Sequence, residues 1–413
     1  MVEKPLQGVA VCIAVASDVV NDGRVRKEAR SLVNAGAIVT VVGQGRKVSP
    51  SLADEPYRVV LASQRLAKTI YSLLQRRYIR SVVKALKSVV RALRPGGGRS
   101  FSVRSMPKFY NAGMVDLIVA AKPDVVHAHN VYTLTAATKA ADQVGAKLIY
   151  DARELFDGYF RQAWALKMGA QEQADQIETL GMARADGVLT VSPLIAAHLE
   201  KRFGREDITV LYNSLPFEEM SPEPVHQPVR ILNQAGFRST TWDHLIVEAM
   251  VHLRDVATLT MQGRFQRQDY REYVEEIIAK NGLQEVVTLT GEYDPLDSIR
   301  LAHGFDVGVG TYQPDTVSKD LTLANRFFTY LNAGVALALP DVAAHRDFPG
   351  YGEYGILLDT TNAETIAASL RPLLEDPARI SAMKRAALAA APEYSWDRQS
   401  EKLVELYRRV LGS

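Results

Sequence analysis

Residues 9–42 read VAVCIAVASDVVNDGRVRKEARSLVNAGAIVTVV, and the spacing of apolar residues in this stretch decides the fold. The run Val9–Ala16 is about half as long as a membrane-spanning helix and has no small-residue cleavage site, so it reads as a buried strand. It ends at the polar turn Ser17-Asp18. Helical periodicity follows over Arg24–Ala35, closed by Gly36, and Ile38–Val42 reads as a second strand. Strand, helix and strand of these lengths form a parallel βαβ unit. The alternation returns as strands Asp124–His127, Lys147–Tyr150, Gly187–Val191 and Thr209–Leu211, with helices Ala136–Val144 and Pro193–Phe203. Such repetition predicts a doubly wound parallel sheet. After the proline-rich stretch Asn213–Pro228, which reads as a linker, a second cycle brings strands Arg230–Gln234, Thr258–Gln262, Val286–Thr290 and Asp306–Val309. Helices follow Trp242 and span Asp269–Lys280 and Asp294–Ala302, and an amphipathic helix, Trp396–Leu411, closes the chain.

A chain of 413 residues is too long for one compact core and suits two α/β domains. The expected division is an acceptor-side domain over 1–213, a second domain over 214–390, and a helix over 391–413 that crosses back to the first. With 47% hydrophobic and 23% charged residues the chain is neither disordered nor fibrous. Cys12 is the sole cysteine, which excludes an intramolecular disulfide and makes the reducing cytosol the expected compartment. The net charge of +2 hides an uneven distribution: thirteen Lys and Arg but no Asp or Glu lie between Pro56 and Val115. Within it, residues 65–94 show the periodicity of a cationic amphipathic helix suited to an anionic membrane surface. The protein is therefore expected in the cytoplasm, peripheral on the inner face of a membrane. Aromatics are sparse in that segment and no recognition motif accompanies it, so nucleic acid is not the expected partner.

Four ordered phrases carry a resemblance. They are Asp22-Gly23-Arg24-Val25-Arg26-Lys27-Glu28-Ala29 with Leu32 and Gly36; Pro123-Asp124-Val125-Val126-His127-Ala128-His129; Tyr150-Asp151-Ala152-Arg153-Glu154 with Ala185-Asp186-Gly187-Val188 and Val210-Leu211-Tyr212-Asn213; and Asn325-Arg326-Phe327-Phe328-Thr329-Tyr330 with Ala333-Gly334. Together they resemble glycosyltransferase family 4, the group-1 transferases. The resemblance implies the GT-B architecture, two Rossmann-like domains facing across a cleft. It also implies transfer of a sugar from a nucleotide-diphosphate donor, with retained configuration, no metal and no cofactor beyond the donor. The basic segment adds the expectation of a lipid-linked acceptor in cell-surface glycan synthesis. Two rivals are a sugar-nucleotide epimerase of the same architecture and a non-catalytic membrane-surface scaffold. The oligomeric state stays open.

A diphosphate leaving group needs cations and free helix amides where its charge develops. The resemblance places these in the loop Gly236-Phe237-Arg238-Ser239-Thr240, making Gly236, Arg238, Ser239 and Thr240 donor candidates. That loop keeps one Arg and lacks the family's Lys, with Arg264 in reserve. A helix beginning near Thr322 is expected to aim its amides at the donor and to contribute Thr322, Asn325 and Thr329. The family's Glu-x7-Glu pair is replaced by Leu321 and Thr329, although Thr329 can still hydrogen-bond a hydroxyl. On the first domain, His129, Asp151 and Glu154 are the catalytic candidates, and an ion pair with Arg153 or Arg184 is the alternative for the two acids. His127 and His129 are read as alternating in direction, with His129 by the donor sugar and His127 packed. Asp18, Asp22, Arg24 and His127 are the acceptor-side candidates, Asp22 and Arg24 alternatively capping the next helix. No third metal ligand accompanies the two histidines at supporting spacing, so no metal is expected.

Overall fold

The computed structural model describes residues 4–62, 112–158 and 169–412. The basic segment 65–94 lies outside the described residues. The chain divides into two compact units, one formed by Met1–Asp151 with Phe160–Gly187 and the other by Ala152–Tyr159 with Val188–Ser413.

All described strands are parallel and fall into two sheets flanked by helices. The first sheet takes β1 (Ala10–Ala14), β2 (Ile38–Gln44), β3 (Arg58–Ala62), β4 (Val125–His129), β5 (Lys147–Ala152), β6 (Gly187–Thr190) and β7 (Ile208–Val210). Their order is β3-β2-β1-β4-β5-β6-β7, which changes direction between β1 and β4. The second takes β8 (Val229–Gln234), β9 (Ala257–Gln262), β10 (Val287–Leu289), β11 (Val307–Val309), β12 (Ala336–Pro340) and β13 (Gly355–Leu358), in the order β10-β9-β8-β11-β12-β13. It changes direction between β8 and β11. The α/β double-Rossmann reading therefore holds, and the strands read from the sequence are displaced by only one or two residues.

Helices on both faces make strands apolar throughout rather than alternately. The second sheet shows this residue by residue. Val229, Ile231, Val307, Val309, Ala336 and Ala338 enter one core cluster, while their neighbours Leu232, Leu337 and Leu339 enter the other. Helix ends follow the local chemistry. Asp22 accepts the Val25 amide at 3.3 Å to start Gly23–Asn34, and Ser192 accepts the Ile195 amide at 3.2 Å to start Pro193–Phe203. Pro193 at the first helical position and Gly204 in the left-handed conformation complete the latter helix.

The helix expected from near Thr322 runs over Asn325–Ala333, and a separate short helix, Val317–Leu321, precedes it across the non-helical Thr322–Ala324. The helix Trp396–Leu411 packs in the second unit. Its start binds the segment after β7: Trp396 N–H donates to Leu215 O at 2.7 Å and Gln399 Oε1 accepts the Tyr212 amide at 3.2 Å. No helix among the described residues is long and apolar enough to cross a membrane.

Candidate functional site

In doubly wound sheets, functional side chains collect outside the carboxyl ends of the strands where the order reverses. In the first sheet the place is the end of β4 beside β1. His129 ends β4, Asp151 lies near the end of β5, and Arg24 and Glu28 stand one turn apart on the helix that follows β1. These four side chains and that of His127 are fully buried. Arg24 Nε sits 2.7 Å from Asp151 Oδ2 and 2.9 Å from Glu28 Oε1, and its Nη2 donates to Asp151 Oδ1 at 3.2 Å. His129 Nδ1 is 3.1 Å from Asp151 Oδ2, and His129 Nε2 is 3.1 Å from Glu28 Oε2.

An imidazole with a carboxylate oxygen facing each nitrogen carries both protons. Burial works against that charge, but Glu28 and Asp151 outweigh it and hold the His129 pKa up at about 9. His127, whose ring stacks on His129 at 4.6 Å, is driven the other way by burial and by the neighbouring charge, down to about 4. The buried Glu28 carboxyl is held below its ordinary range, burial being outweighed by Arg24 and His129. Two cations thus balance two anions inside the protein.

This geometry corrects several expectations. Residues two apart on a strand face the same side, so His127 and His129 point together at Glu28 rather than alternately. Arg24 does not reach an acceptor, because its guanidinium is buried on Asp151 and Glu28. Asp151 pairs with Arg24, whereas Arg184 pairs with Asp142 and Asp186. Asp22 caps its helix and Asp18 is exposed in the turn after β1. Glu154 is half-buried in the second compact unit. Ligand atoms of Glu28, His127, His129 and Asp151 lie within 4.8 Å of one another, so companions to the two histidines do exist, brought in by the fold. Both His129 nitrogens face carboxylates, and Arg24 Nε lies 2.7 Å from Asp151 Oδ2.

In the second sheet the reversal between β8 and β11 is closed by the helix Asn325–Ala333. Phe327, Phe328, Tyr330 and Leu331 anchor it in the core. The Tyr330 hydroxyl accepts the Gln234 amide at 2.9 Å and lies 3.2 Å from the carbonyls of Leu232 and Val309, joining the two strands that bound the switch point. Arg326 Nη1 donates to Asn233 Oδ1 at 2.8 Å, and the buried Asp243 stands 3.9 Å away. Burial pushes the Asp243 carboxyl up, with Arg326 opposing.

The loop after β8 extends the ladder of β9. Ala235 N–H donates to Gln262 O at 3.1 Å and Phe237 N–H to Arg264 O at 2.8 Å. It then exposes Arg238, Ser239 and Thr240 together, with Gly236 just before them. Lys319, from the helix Val317–Leu321, donates to Thr240 O at 3.1 Å. The loop and the approach to Asn325 are therefore neighbours.

Other donor candidates fare differently. Asn325 is exposed at the first turn of its helix, its Oδ1 accepting from Asn213 Nδ2 at 2.6 Å. Thr322 Oγ1 is buried without a hydrogen-bond partner. Thr329 is buried and turns its hydroxyl back to Asn325 O at 3.3 Å instead of offering it outward. Arg264 pairs with Glu292 at 3.3 Å, both about 60% exposed, a surface ion pair. Sequence reasoning missed Glu28, Asn233, Asp243, Lys319 and Arg326 as site residues, although Glu28 and Arg326 lie inside the quoted phrases.

Residues 23–214 match the model of the glycosyl transferase 4-like domain. The Thermobispora bispora D-inositol 3-phosphate glycosyltransferase is 32% identical over 78 residues, 19% of this chain and 18% of that protein. The Mycobacterium tuberculosis glycogen synthase is 21% identical over 299 residues, 69% of each. Among solved structures, Anabaena HepE in complex with UDP and glucose superimposes with a TM-score of 0.70 at 15% identity, covering 96% of this chain and 98% of that one. Two parallel sheets arranged in this way form the GT-B fold found in glycosyltransferases. Within that fold, residues 23–214 carry the likeness to the glycosyl transferase 4-like domain.

Proposed function

We propose that this enzyme transfers a sugar from a nucleoside-diphosphate donor, bound by the second sheet, to an acceptor hydroxyl. The observation that carries the reading is the exposed loop Arg238-Ser239-Thr240 at the end of β8, adjoining the segment that leads into the helix Asn325–Ala333. One guanidinium, two hydroxyls and free helix amides are the groups a pyrophosphate requires. The acceptor oxygen bonds to the anomeric carbon as the bond from that carbon to the diphosphate oxygen breaks. The nucleoside diphosphate leaves with the electron pair, and the acceptor gives up its proton. Positive charge on the protein stabilises the departing diphosphate, so the reaction needs no metal in this reading.

His129, as an imidazolium with a carboxylate oxygen 3.1 Å from each nitrogen, is a fixed positive charge near the end of β4, and not the base that deprotonates the acceptor. Retained configuration rests on the family resemblance. The lipid-linked acceptor rests on the basic segment 65–94 alone, which carries no acidic residue. HepE in complex with UDP and glucose is a relative in fold that binds such a donor's parts.

The test is thermal melting with UDP, GDP and ADP, each beside its monophosphate. A ligand at 100 times its Kd adds about 2.7 kcal/mol of stability. A diphosphate that stabilises more than its monophosphate supports the reading, and failure of all three to shift a well-folded protein overturns it. Co-sedimentation with anionic but not neutral vesicles checks the membrane-side acceptor.

A further inference from the structure

The loop after β8 carries one cation where the resemblance led us to expect two. We propose that Lys319, from the separate helix Val317–Leu321, supplies the second positive charge to the donor diphosphate. This inference rests on the proposed sugar-transfer reading.

Lys319 Nζ donates to Thr240 O at 3.1 Å and pairs with Asp315 Oδ1 at 2.8 Å. An ammonium has three donors, so one is left for a ligand oxygen beside the exposed hydroxyls of Ser239 and Thr240. The side chain is 27% exposed, partly desolvated yet open to a ligand.

Its helix, only five residues long, is held on both sides of the lysine. Thr316 Oγ1 accepts the Lys319 amide at 3.2 Å, Ser318 Oγ accepts the Leu155 amide at 3.1 Å, Asp320 Oδ1 accepts the Ala343 amide at 2.9 Å, and Leu321 O accepts from Ser192 Oγ at 2.5 Å. An ammonium fixed in advance loses little entropy when a phosphate arrives. The other nearby cations have partners of their own. Arg326 serves Asn233 and the buried Asp243, and Arg264 is paired on the surface with Glu292.

The test is calorimetric binding of whichever of UDP, GDP and ADP the wild-type protein binds most tightly, with its monophosphate as control. Lys319→Gln is expected to weaken the diphosphate about tenfold or more, the size of one charged hydrogen bond, with a much smaller effect on the monophosphate. Lys319→Arg is expected to restore most of the loss. Asp315→Asn, which releases the ammonium from its counter-ion, is expected to tighten the diphosphate several-fold, a gain that misfolding cannot produce. If Lys319→Gln and Asp315→Asn both bind the diphosphate as wild type does while Arg238→Gln weakens it, the assignment of Lys319 fails and the sugar-transfer reading stands. If the wild-type protein binds no nucleoside diphosphate, the reading itself fails.

Discussion

The two histidines of β4 differ by a single surrounding: His129 has a carboxylate at each nitrogen, and His127 faces a neighbouring cation. Their effects on stability have opposite signs. His129 holds its proton up to about 9, above the ordinary 6.5, so its contribution is complete below pH 6.5 and is lost as pH rises through about 9. His127 is depressed to about 4, so its contribution is complete above pH 6.5 and is lost as pH falls through about 4. Melting temperature against pH is therefore expected to peak near pH 6.5. His129→Gln should flatten the alkaline limb and also soften the acid limb, since it removes the charge that helps depress His127, and an unchanged alkaline limb would show that His129 is neutral. Arg24→Met removes the partner of two buried carboxylates and is expected to cost about 3–5 kcal/mol in denaturant unfolding. A cost below about 1 kcal/mol would mean that these carboxylates are already protonated. His129 and Asp151 were legible as polar residues at strand ends, and Arg24 as one that opens the helix after β1. Their mutual pairing was not, because it depends on which strands the fold places side by side, and Glu28 looked like one more helix glutamate.

The loop after β8 owes its shape to a glycine on the neighbouring strand end. Gly263 has φ +144°, and a Cβ there would lie 1.8 Å from Ala235 O, the residue that leads into Arg238. Gly263→Ala is expected to cost on the order of 1–3 kcal/mol from the backbone alone and to push the loop off β9. Diphosphate affinity should then fall in protein that remains folded, and undiminished affinity would separate Arg238 from the phosphate. Strands written in β-branched residues, such as Ile38–Gln44, could be read directly. β12, Ala336–Pro340, could not, since its Ala-Leu alternation suits a helix equally and only burial on both faces makes it a strand. β3, Arg58–Ala62, was hidden for the opposite reason: it edges the sheet and stays half-exposed, so its apolar signal is weak. The break at Thr322–Ala324 carries neither Gly nor Pro, and a single helix from Thr322 was the natural reading of it.

Each compact unit has its own sheet reversal and its own set of charges, of different kinds. In the first unit the charges are buried and cancel among themselves. In the second, Arg238 is exposed, Lys319 partly so, and their loop presents hydroxyls and backbone to solvent. A cluster that satisfies itself can orient a substrate but has little left to bind an anion, whereas exposed cations on a shaped loop stay hydrated and open to an incoming anion. Hydrogen exchange follows local opening, so it can report which unit receives the diphosphate. Saturating nucleoside diphosphate is expected to slow exchange over residues 235–242 and 317–333. Exchange over residues 10–30 and 125–133 should change far less. Protection concentrated instead around β1 and β4 would assign the diphosphate to the first unit, and Arg238 and Lys319 would then lose their role together.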